Sequence, residues 1–300
     1  MEDKLVSIIV ATYRRADELN TALDSLARQT YKNIEVVLVD DNADPEWNGR
    51  VAKTVEAFRA KCDIPIVYIA NPGNMGSAAS RNIGIAAAKG EYVSFLDDDD
   101  VYLPEKIERQ LKDFMAADAD FGLTDLKLYD KNDRLVDTRI RDYIKDSSED
   151  ELLKYHLMYH MTGTDTLMFR ADYLRSIGGF PGIDVGDEFY LMLEAIKNGG
   201  SFVYSPHCYV KAYIHTGEDG GLSSGQKKID GENALHSEKE KYFPQLDKKT
   251  VKAIKTRHYA VIAFAELRRK RFAAFAWNAL RAFCNSPIQC ARILMRHKDS

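Results

Sequence analysis

Short apolar runs alternate with amphipathic stretches over the first hundred residues of the chain. Four runs rich in β-branched and aliphatic residues predict buried strands, at 6–11, 34–39, 65–69 and 92–96. Between them, apolar residues recur every three or four positions, which predicts helices over 17–29, 49–61 and 77–89. Strands that alternate with helices are typical of βαβ units. We therefore predict an α/β fold with a Rossmann-like, mostly parallel sheet flanked by helices.

After residue 104 the pattern is less regular. Apolar runs predict strands over 121–129, 135–140, 166–169, 201–205 and 209–214, and helical periodicity predicts helices over 104–117, 146–160 and 186–197. Residues 216–225 are rich in Gly and Ser and form either a lid or a plain connection. Mostly helix is expected from Glu232 onwards. We therefore predict that the chain consists of one domain over 1–228, with halves 1–104 and 105–228, and a helical extension over 229–300.

Composition is that of an ordinary soluble protein, with 45% hydrophobic and 29% charged residues. The first apolar run, 5–11, is too short for a signal peptide, and no run approaches the roughly 18 apolar residues that span a bilayer. The four cysteines lack the spacing of a metal site or a disulfide framework. We therefore expect a cytoplasmic protein with reduced thiols.

The net charge of −4 hides an uneven distribution. Residues 251–300 hold eleven Lys and Arg against two Asp and Glu, while the preceding residues carry a formal −13. After the basic cluster 268–271 comes a helix whose apolar side holds Phe272, Phe275, Ala276, Ala279, Leu280 and Phe283. Such a helix either contacts a membrane surface through 268–296, on the inner face of the membrane, or packs on protein, including a second copy in a homo-oligomer. The acidic body argues against a nucleic-acid partner.

Four consecutive aspartates, Asp97–Asp100, follow the fourth predicted strand directly. Carboxylates at contact distance repel one another unless a cation intervenes. Mg²⁺ and Mn²⁺ are bound in this way by one or two carboxylates together with substrate phosphates. An acidic run can also be a solvated turn, but this one lies at the carboxyl end of a strand, where open α/β sheets bind ligands.

Other polar residues are expected at the same edge of the sheet. The second strand ends at Asp40 and Asp41, and parallel strands end at one edge. Arg81 begins a helix after a Gly-containing loop, where an arginine can contact a diphosphate. Tyr13 follows the first strand and can stack on a base. Together these residues predict a nucleotide-diphosphate site with a divalent metal ion.

Five motifs follow one another between residues 5 and 104. They are Val6–Arg15, Ser25–Tyr31, Glu35–Asn42, Asn74-Met75-Gly76 with Ala79–Asn82 and Gly84, and Phe95–Asp100 with Pro104. In this order they resemble the opening part of family 2 glycosyltransferases of GT-A fold. A second stretch, Gly178-Gly179-Phe180 followed by Gly186-Asp187-Glu188-Phe189, is similar to the acceptor-side segment of that family, and the likeness fades beyond His215.

The resemblance implies transfer of a sugar, with inversion, from a nucleoside diphosphate sugar to a glycan or lipid-linked acceptor, with UDP as the commonest nucleotide. In that interpretation 1–104 is the nucleotide-sugar half and 105–228 the acceptor half. Asp99 and His215 would bind Mn²⁺ or Mg²⁺. The nucleotide-sugar residues would be Ala11, Tyr13, Arg15, Asp41, Arg81, Asp97 and Asp98. The register of the metal-binding pair within Asp97–Asp100 stays open by one position.

The acceptor hydroxyl must lose a proton during attack, and a carboxylate can accept it. Glu188 is the candidate base. The usual order of the acidic pair in the family is reversed here, so Asp187 is the alternative, and either residue could simply favour the helix start.

His156 and His160 are spaced for metal chelation but fit a plain helix surface better. A nucleotidyltransferase would normally show a glycine-rich phosphate loop after the first strand, which is missing here, and an inactive nucleotide-sugar-binding module would not need both acidic clusters. A glycosyltransferase of bacterial cell-surface polysaccharide or glycoconjugate synthesis is therefore the leading hypothesis.

Overall fold

The computed structural model describes residues 3–183, 186–214 and 225–296. The chain divides into two compact units, the first formed by residues 1–149 and 162–214 and the second by 150–161 and 215–300. His215 and residues 216–224 of the predicted lid or connection lie outside the described residues. The predicted boundary after 228 falls within a helix that begins at Gly225, and the functional domain limits remain a prediction.

The elements are numbered along the chain. The strands are β1 Val6–Thr12, β2 Ile34–Asp40, β3 Ile66–Ala70, β4 Tyr92–Phe95, β5 Val101–Tyr102, β6 Phe121–Thr124, β7 Leu126–Tyr129, β8 Leu135–Arg139, β9 Leu167–Arg170, β10 Phe202–Ser205 and β11 Val210–Tyr213. The α-helices are α1 Ala16–Ala27, α2 Pro45–Lys61, α3 Ser77–Ala87, α4 Lys106–Ala117, α5 Glu149–Tyr159, α6 Ala171–Ser176, α7 Asp187–Lys197, α8 Gly225–Glu240, α9 Lys248–Arg268, α10 Phe272–Asn285 and α11 Pro287–Arg296.

The first unit is built on a seven-stranded sheet with the order β10–β6–β9–β4–β1–β2–β3. Six of these strands run in one direction and β9 runs against them. The prediction of a mostly parallel sheet is therefore confirmed. Because β9 is reversed, its first residues lie at the edge where β1, β2 and β4 end, and this brings the loop before β9 to the same edge.

A second, four-stranded sheet has the order β5–β11–β7–β8. The prediction of one strand over 121–129 is wrong, because β6 and β7 belong to different sheets. The chain leaves the first sheet at Asp125, a buried carboxylate that accepts hydrogen bonds from Arg141 N at 2.9 Å and Tyr204 Oη at 2.9 Å. A polar residue within the apolar run thus marks the point where the strand breaks.

Strand β1 is buried on both faces, as its continuous apolar sequence predicts. Val6, Ile8 and Val10 belong to a core shared with α1, α2 and α4, and each contributes about 1.5–3 kcal/mol when fully buried. Ile9 points to the other face, where a Cβ on Gly84 of α3 would lie 2.5 Å from its Cγ2 atom. A glycine at position 84 therefore allows α3 to pack closely on β1.

The second unit is helical, as expected for the C-terminal region. The helix predicted from Glu232 already begins at Gly225, and the region continues as the separate helices α9, α10 and α11. Asp247 caps α9 by accepting hydrogen bonds from Lys249 N at 2.9 Å and Thr250 N at 3.0 Å. Within the described part of the chain, each helix is too short or too polar to cross a bilayer.

Candidate active site

The end of β1 is tied to the aspartate run. Asp98 accepts hydrogen bonds from Thr12 Oγ1 at 2.8 Å and Arg15 Nη1 at 3.0 Å, and Arg15 also pairs with Asp99. Burial and the nearby Asp99 raise the pKa of Asp98 to about 6, although Arg15 and Thr12 oppose the shift. The structure therefore brings Arg15, Asp98 and Asp99 together. Both carboxylates contact side chains of the protein: Asp98 contacts Thr12 and Arg15, and Asp99 contacts Arg15.

Asp41, one of the predicted nucleotide-sugar residues, holds the loop before α3. Its carboxylate accepts hydrogen bonds from Asn71 Nδ2, Met75 N and Gly76 N, each at 2.8 Å. Gly76 adopts a φ of 84°, which favours glycine and turns the chain into α3. Asp41 thus shapes the loop that leads to Arg81, whereas Tyr13 is an exposed side chain after β1. Ala11 lies near the end of β1, beside Val39 of β2.

Three carboxylates at the same edge could share a cation. Asp97, Asp100 and Asp165 each offer an oxygen, and these oxygens lie within 4.8 Å of one another. Asp165 Oδ1 accepts a hydrogen bond from Asp97 N at 2.6 Å, and Asp100 Oδ1 accepts one from Tyr213 N at 2.8 Å. Asp99, the predicted metal ligand, is not part of this trio.

The trio is electrostatically unfavourable without a cation. Burial and Asp97 raise the pKa of Asp165 to about 7, and burial together with Asp165 raises that of Asp100. Three clustered carboxylates are the donor set that Mg²⁺ and Mn²⁺ prefer, because these ions select oxygen ligands. The residues present therefore fit a divalent cation.

Arg81 joins this cluster to the start of α7. Its Nη2 donates to Asp97 Oδ1 at 2.7 Å and its Nη1 to Asp187 Oδ2 at 3.0 Å, and the guanidinium lies 5.2 Å from the centre of the Phe180 ring. Burial acts to lower the pKa of Arg81, but Asp97, Asp187 and Glu188 raise it further than burial lowers it. Arg81 is therefore a buried, permanently charged link between two acidic groups.

The two candidate bases differ in their surroundings. Asp187 is buried against Arg81, and burial raises its pKa to about 6. Glu188 is half-buried, and its Oε2 accepts a hydrogen bond from Gly163 N at 2.7 Å. Among the described residues, no group donates a hydrogen bond to Glu188 Oε1. Glu188 therefore differs from Asp187, which is engaged with Arg81 through a hydrogen bond and an ion pair.

The sequence profile of glycosyl transferase family 2 matches residues 7–175, which is more than half of the chain. The chain belongs to glycosyltransferase family 2. A family relative, the uncharacterized glycosyltransferase MJ1057 of Methanocaldococcus jannaschii, is 29% identical over 180 residues, 59% of either chain. The glucosyltransferase WfaP of Escherichia coli is 36% identical over 119 residues, 39% of this chain and 44% of WfaP. The chain thus spans less than two thirds of the curated relatives it matches.

Solved structures share the fold of this family 2 chain. S. aureus TarS in complex with UDP-GlcNAc has a TM-score of 0.60 at 19% identity, covering 94% of this chain and 92% of TarS 1-349. The mannosyltransferase PcManGT from Pyrobaculum calidifontis, in complex with GDP-Man and Mn²⁺, has a TM-score of 0.58 at 17% identity, covering 95% and 85%. At these identities the likeness shows the fold, which is of GT-A type.

Sequence reasoning missed Asp165 in this family 2 site. It directly precedes a predicted strand, but the position is informative only once β9 is known to run antiparallel to β4. It also missed Lys106, which looks like a surface residue at a helix start and is fully buried. Lys106 Nζ donates to Ser94 Oγ at 2.6 Å and to Tyr102 Oη at 2.9 Å, and that hydroxyl lies 3.0 Å from the carbonyl oxygen of Asp165.

His156 and His160 do not form a surface pair. His156 is buried and accepts a hydrogen bond from Met161 N at 3.2 Å, so the reading of a plain helix surface is wrong for it. His160 follows the helix and contacts Lys239 Nζ. Lys239 Nζ occupies the position beside His160 Nε2 that a metal ion would need, so the interpretation as a chelating pair gains no support.

Proposed function

We propose that this protein transfers a sugar from a nucleoside diphosphate sugar to a hydroxyl acceptor with inversion at the anomeric carbon. The carrying observation is the bridge formed by Arg81, which joins the carboxylate trio at the sheet edge to the acidic start of α7. A site of this kind offers a cation position for the leaving diphosphate and a base for the acceptor. Membership of family 2 supports the reaction class.

Asp97, Asp100 and Asp165 would hold a Mn²⁺ or Mg²⁺ ion. The ion would neutralise charge that develops on the departing diphosphate. Arg81 keeps Asp97 oriented by a charge-assisted hydrogen bond, and Asp165 fixes the backbone of Asp97 through its N–H group. These contacts hold the first aspartate of the run in one orientation before the donor binds.

Glu188 is the proposed base. Proton transfer to a positioned carboxylate typically contributes about 10²–10⁴-fold to the rate. The hydrogen bond from Gly163 N to Oε2 orients the side chain and leaves Oε1 to accept the proton of the attacking hydroxyl. Asp187 is proposed as a positioning residue, because its ion pair holds Arg81 in place.

The donor and acceptor classes are inferred from relatives. The solved structures hold UDP-GlcNAc in TarS and GDP-Man with Mn²⁺ in PcManGT, and we propose a UDP-sugar for this chain. The full name of WfaP is UDP-Glc:alpha-D-GlcNAc-diphosphoundecaprenol beta-1,3-glucosyltransferase, which supports a lipid-linked acceptor in bacterial cell-surface polysaccharide synthesis. Such an acceptor would fit work at the cytoplasmic face of a membrane.

The test is nucleotide release from a panel of UDP- and GDP-sugars with Mn²⁺, Mg²⁺ or chelator. Release of nucleoside diphosphate by wild type is expected, and Glu188→Gln should lower kcat by at least about 10²-fold. The matched control is Asp172→Asn, which changes an exposed carboxylate. Proton NMR of the product tests inversion. Formation of a nucleotide-sugar with pyrophosphate release would instead identify a nucleotidyltransferase, and full activity of Glu188→Gln would refute the base.

A further inference from the structure

Helices α9 and α10 form an antiparallel hairpin joined by Arg269, Lys270 and Arg271. Asn285, the last residue of α10, donates from Nδ2 to Lys252 O at 2.7 Å and to Thr256 Oγ1 at 2.7 Å. Nearer the turn, Arg281 Nη2 donates to Tyr259 Oη at 3.1 Å. These contacts align one side of α10 with one side of α9.

The outer side of α10 is apolar and exposed. On a helical wheel its large exposed side chains fall within half of the circumference, and Ile288 of α11 is exposed as well. The opposite side carries Ala282, which is buried, and Phe275, which is half-buried. The exposed side chains, with their exposed fractions, are Phe272 65%, Trp277 62%, Leu280 53%, Phe283 55% and Ile288 70%.

A row of three lysines on α9, called the lysine row here, runs along the apolar side of α10. Lys248, Lys252 and Lys255 share one face of α9 and line an open cleft of about 480 Å³, together with Phe243, Leu246, Val251 and Asn285. Tyr259 lies one turn further on the same face and contacts Arg281 at the border of the apolar side. The lysine row of α9 and the apolar side of α10 are therefore adjacent on one surface of the hairpin.

The lysines of the row have no carboxylate partner among the residues that the structure describes. Across the described part of the chain, no carboxylate lies at ion-pair distance from the ammonium groups of Lys248, Lys252 or Lys255. The sequence has no Asp or Glu between residues 267 and 298. A protein partner built from an apolar core would leave these cations without counter-charges, whereas phosphate headgroups supply them next to an apolar layer.

We propose that the α9–α10 hairpin docks on an anionic lipid bilayer. The aromatic and aliphatic side chains of α10 enter the boundary between headgroups and acyl chains, and the lysine row contacts lipid phosphates. Trp277 lies at the edge of the exposed arc, in the interfacial position that tryptophan favours. This binding needs neither nucleotide nor acceptor, so it can be tested separately from the proposed transferase activity.

The first experiment is flotation of the full chain with vesicles of phosphatidylcholine alone or with 30% phosphatidylglycerol. Binding is expected to the anionic vesicles and to weaken in high salt. Lys248→Glu, Lys252→Glu and Lys255→Glu together should lower the affinity by at least about 100-fold, because each basic residue near the surface contributes about fivefold. The charge-matched control reverses Lys53, Lys112 and Lys131, which are exposed lysines of the first unit.

The apolar contribution is tested with Leu280→Ser and Phe283→Ser together. This pair should lower vesicle affinity by at least about tenfold. The matched control is Leu135→Ser with Ile140→Ser, since both of these side chains are also more than half exposed. Loss of binding in the control pair as well would point to a general loss of structure and would count against the hairpin as the binding surface.

Tryptophan fluorescence detects membrane contact directly, without a variant that weakens vesicle binding. The chain has two tryptophans, Trp47 and Trp277, so Trp47→Phe leaves Trp277 as a single reporter. Anionic vesicles should shift its emission to the blue, and brominated acyl chains should quench it. In the converse variant, Trp277→Phe, the emission of Trp47 should not change.

Two outcomes would overturn the proposal. One is a Trp277 emission that is unchanged by anionic vesicles. The other is self-association in analytical ultracentrifugation that buries Trp277 without any vesicle binding, which would assign the surface to a second copy of the chain.

Discussion

Glu188 accepts a hydrogen bond from the backbone N–H of Gly163 at 2.7 Å. Gly163 lies in the loop that enters β9, two residues before Asp165, which belongs to the carboxylate trio. One short loop therefore positions both the proposed base and a proposed cation ligand. Arg81 forms a second connection between these groups through Asp97 and Asp187. The relative placement of donor and acceptor chemistry thus depends on two independent contacts.

Gly163→Ala should slow the reaction more than it weakens donor binding. Gly163 has a φ of 117°, and an added Cβ would lie 2.9 Å from Leu126 Cδ2, so the loop must shift. We expect about 1–3 kcal/mol of destabilisation from the backbone strain, and kcat lower by at least about tenfold from the displaced base. Steady-state kinetics and thermal unfolding measure both effects.

The control for that variant is Gly178→Ala. Gly178 also has a positive φ, 86°, but nothing lies within 4 Å of an added Cβ. The Gly178→Ala variant should therefore be destabilised by a similar amount, and its kcat should equal that of the wild type. An equal loss of kcat in both variants would show that the effect is general strain and not the position of Glu188.

The free energy of unfolding of the metal-free protein should fall as pH rises through about 7. The folded state raises the pKa of Asp165 to about 7 from an ordinary value of about 3.9, so it binds this proton more tightly than the unfolded chain. The stabilisation is complete below about pH 4 and is lost as pH rises through 7, where the carboxylates repel. Mn²⁺ should therefore raise Tm more at pH 8 than at pH 5.5.

Asp165→Asn is the matching variant for the pH experiment. It should remove most of the difference in the Mn²⁺-induced Tm shift between pH 5.5 and pH 8, and Asp172→Asn should leave it unchanged. A wild-type Tm shift that is the same at both pH values would contradict the assignment of the trio as the cation site.

Arg81→Met should be strongly destabilising. The side chain is buried and pairs with Asp97 and Asp187, so its loss leaves the buried carboxylate of Asp187 and the half-buried carboxylate of Asp97 uncompensated, at a cost of about 3–5 kcal/mol. Adding Asp187→Asn should recover part of that loss, because one of the two charges is then removed. Urea unfolding of the two single variants and the double variant measures the coupling between Arg81 and Asp187. Strictly additive losses of unfolding free energy would refute this coupling.

Lys106→Met should change how stability depends on pH. Burial holds the pKa of Lys106 well below its ordinary value, so the folded state binds this proton weakly and loses stability as pH falls below about 10.5. The wild type should therefore gain stability between pH 7 and pH 10 relative to Lys106→Met. Thermal unfolding at both pH values tests this, and parallel curves for the two proteins would count against a neutral buried lysine.

Some local features could be predicted from sequence only in part. The helix expected from Gly49 begins at Pro45, because Asp44 accepts hydrogen bonds from Glu46 N and Trp47 N and so caps the helix start. That cap is visible in the sequence as an Asp before a proline. The break at Asp125 was also visible as a polar residue in an apolar run, but its meaning depends on Arg141 and Tyr204, which are distant in sequence.

The sequence by itself determined the order of strands and helices, the mostly parallel sheet and the acidic sheet edge, because these follow from local periodicity and from motifs within short segments. Only the tertiary structure decided which carboxylates meet. Asp165 joins Asp97 and Asp100 because β9 runs antiparallel to β4, whereas Asp99 turns to Arg15. Lys106 is buried for a similar reason, since its partners lie on β4 and β5. Strand direction and side-chain burial depend on contacts between distant segments, and local sequence patterns do not encode those contacts.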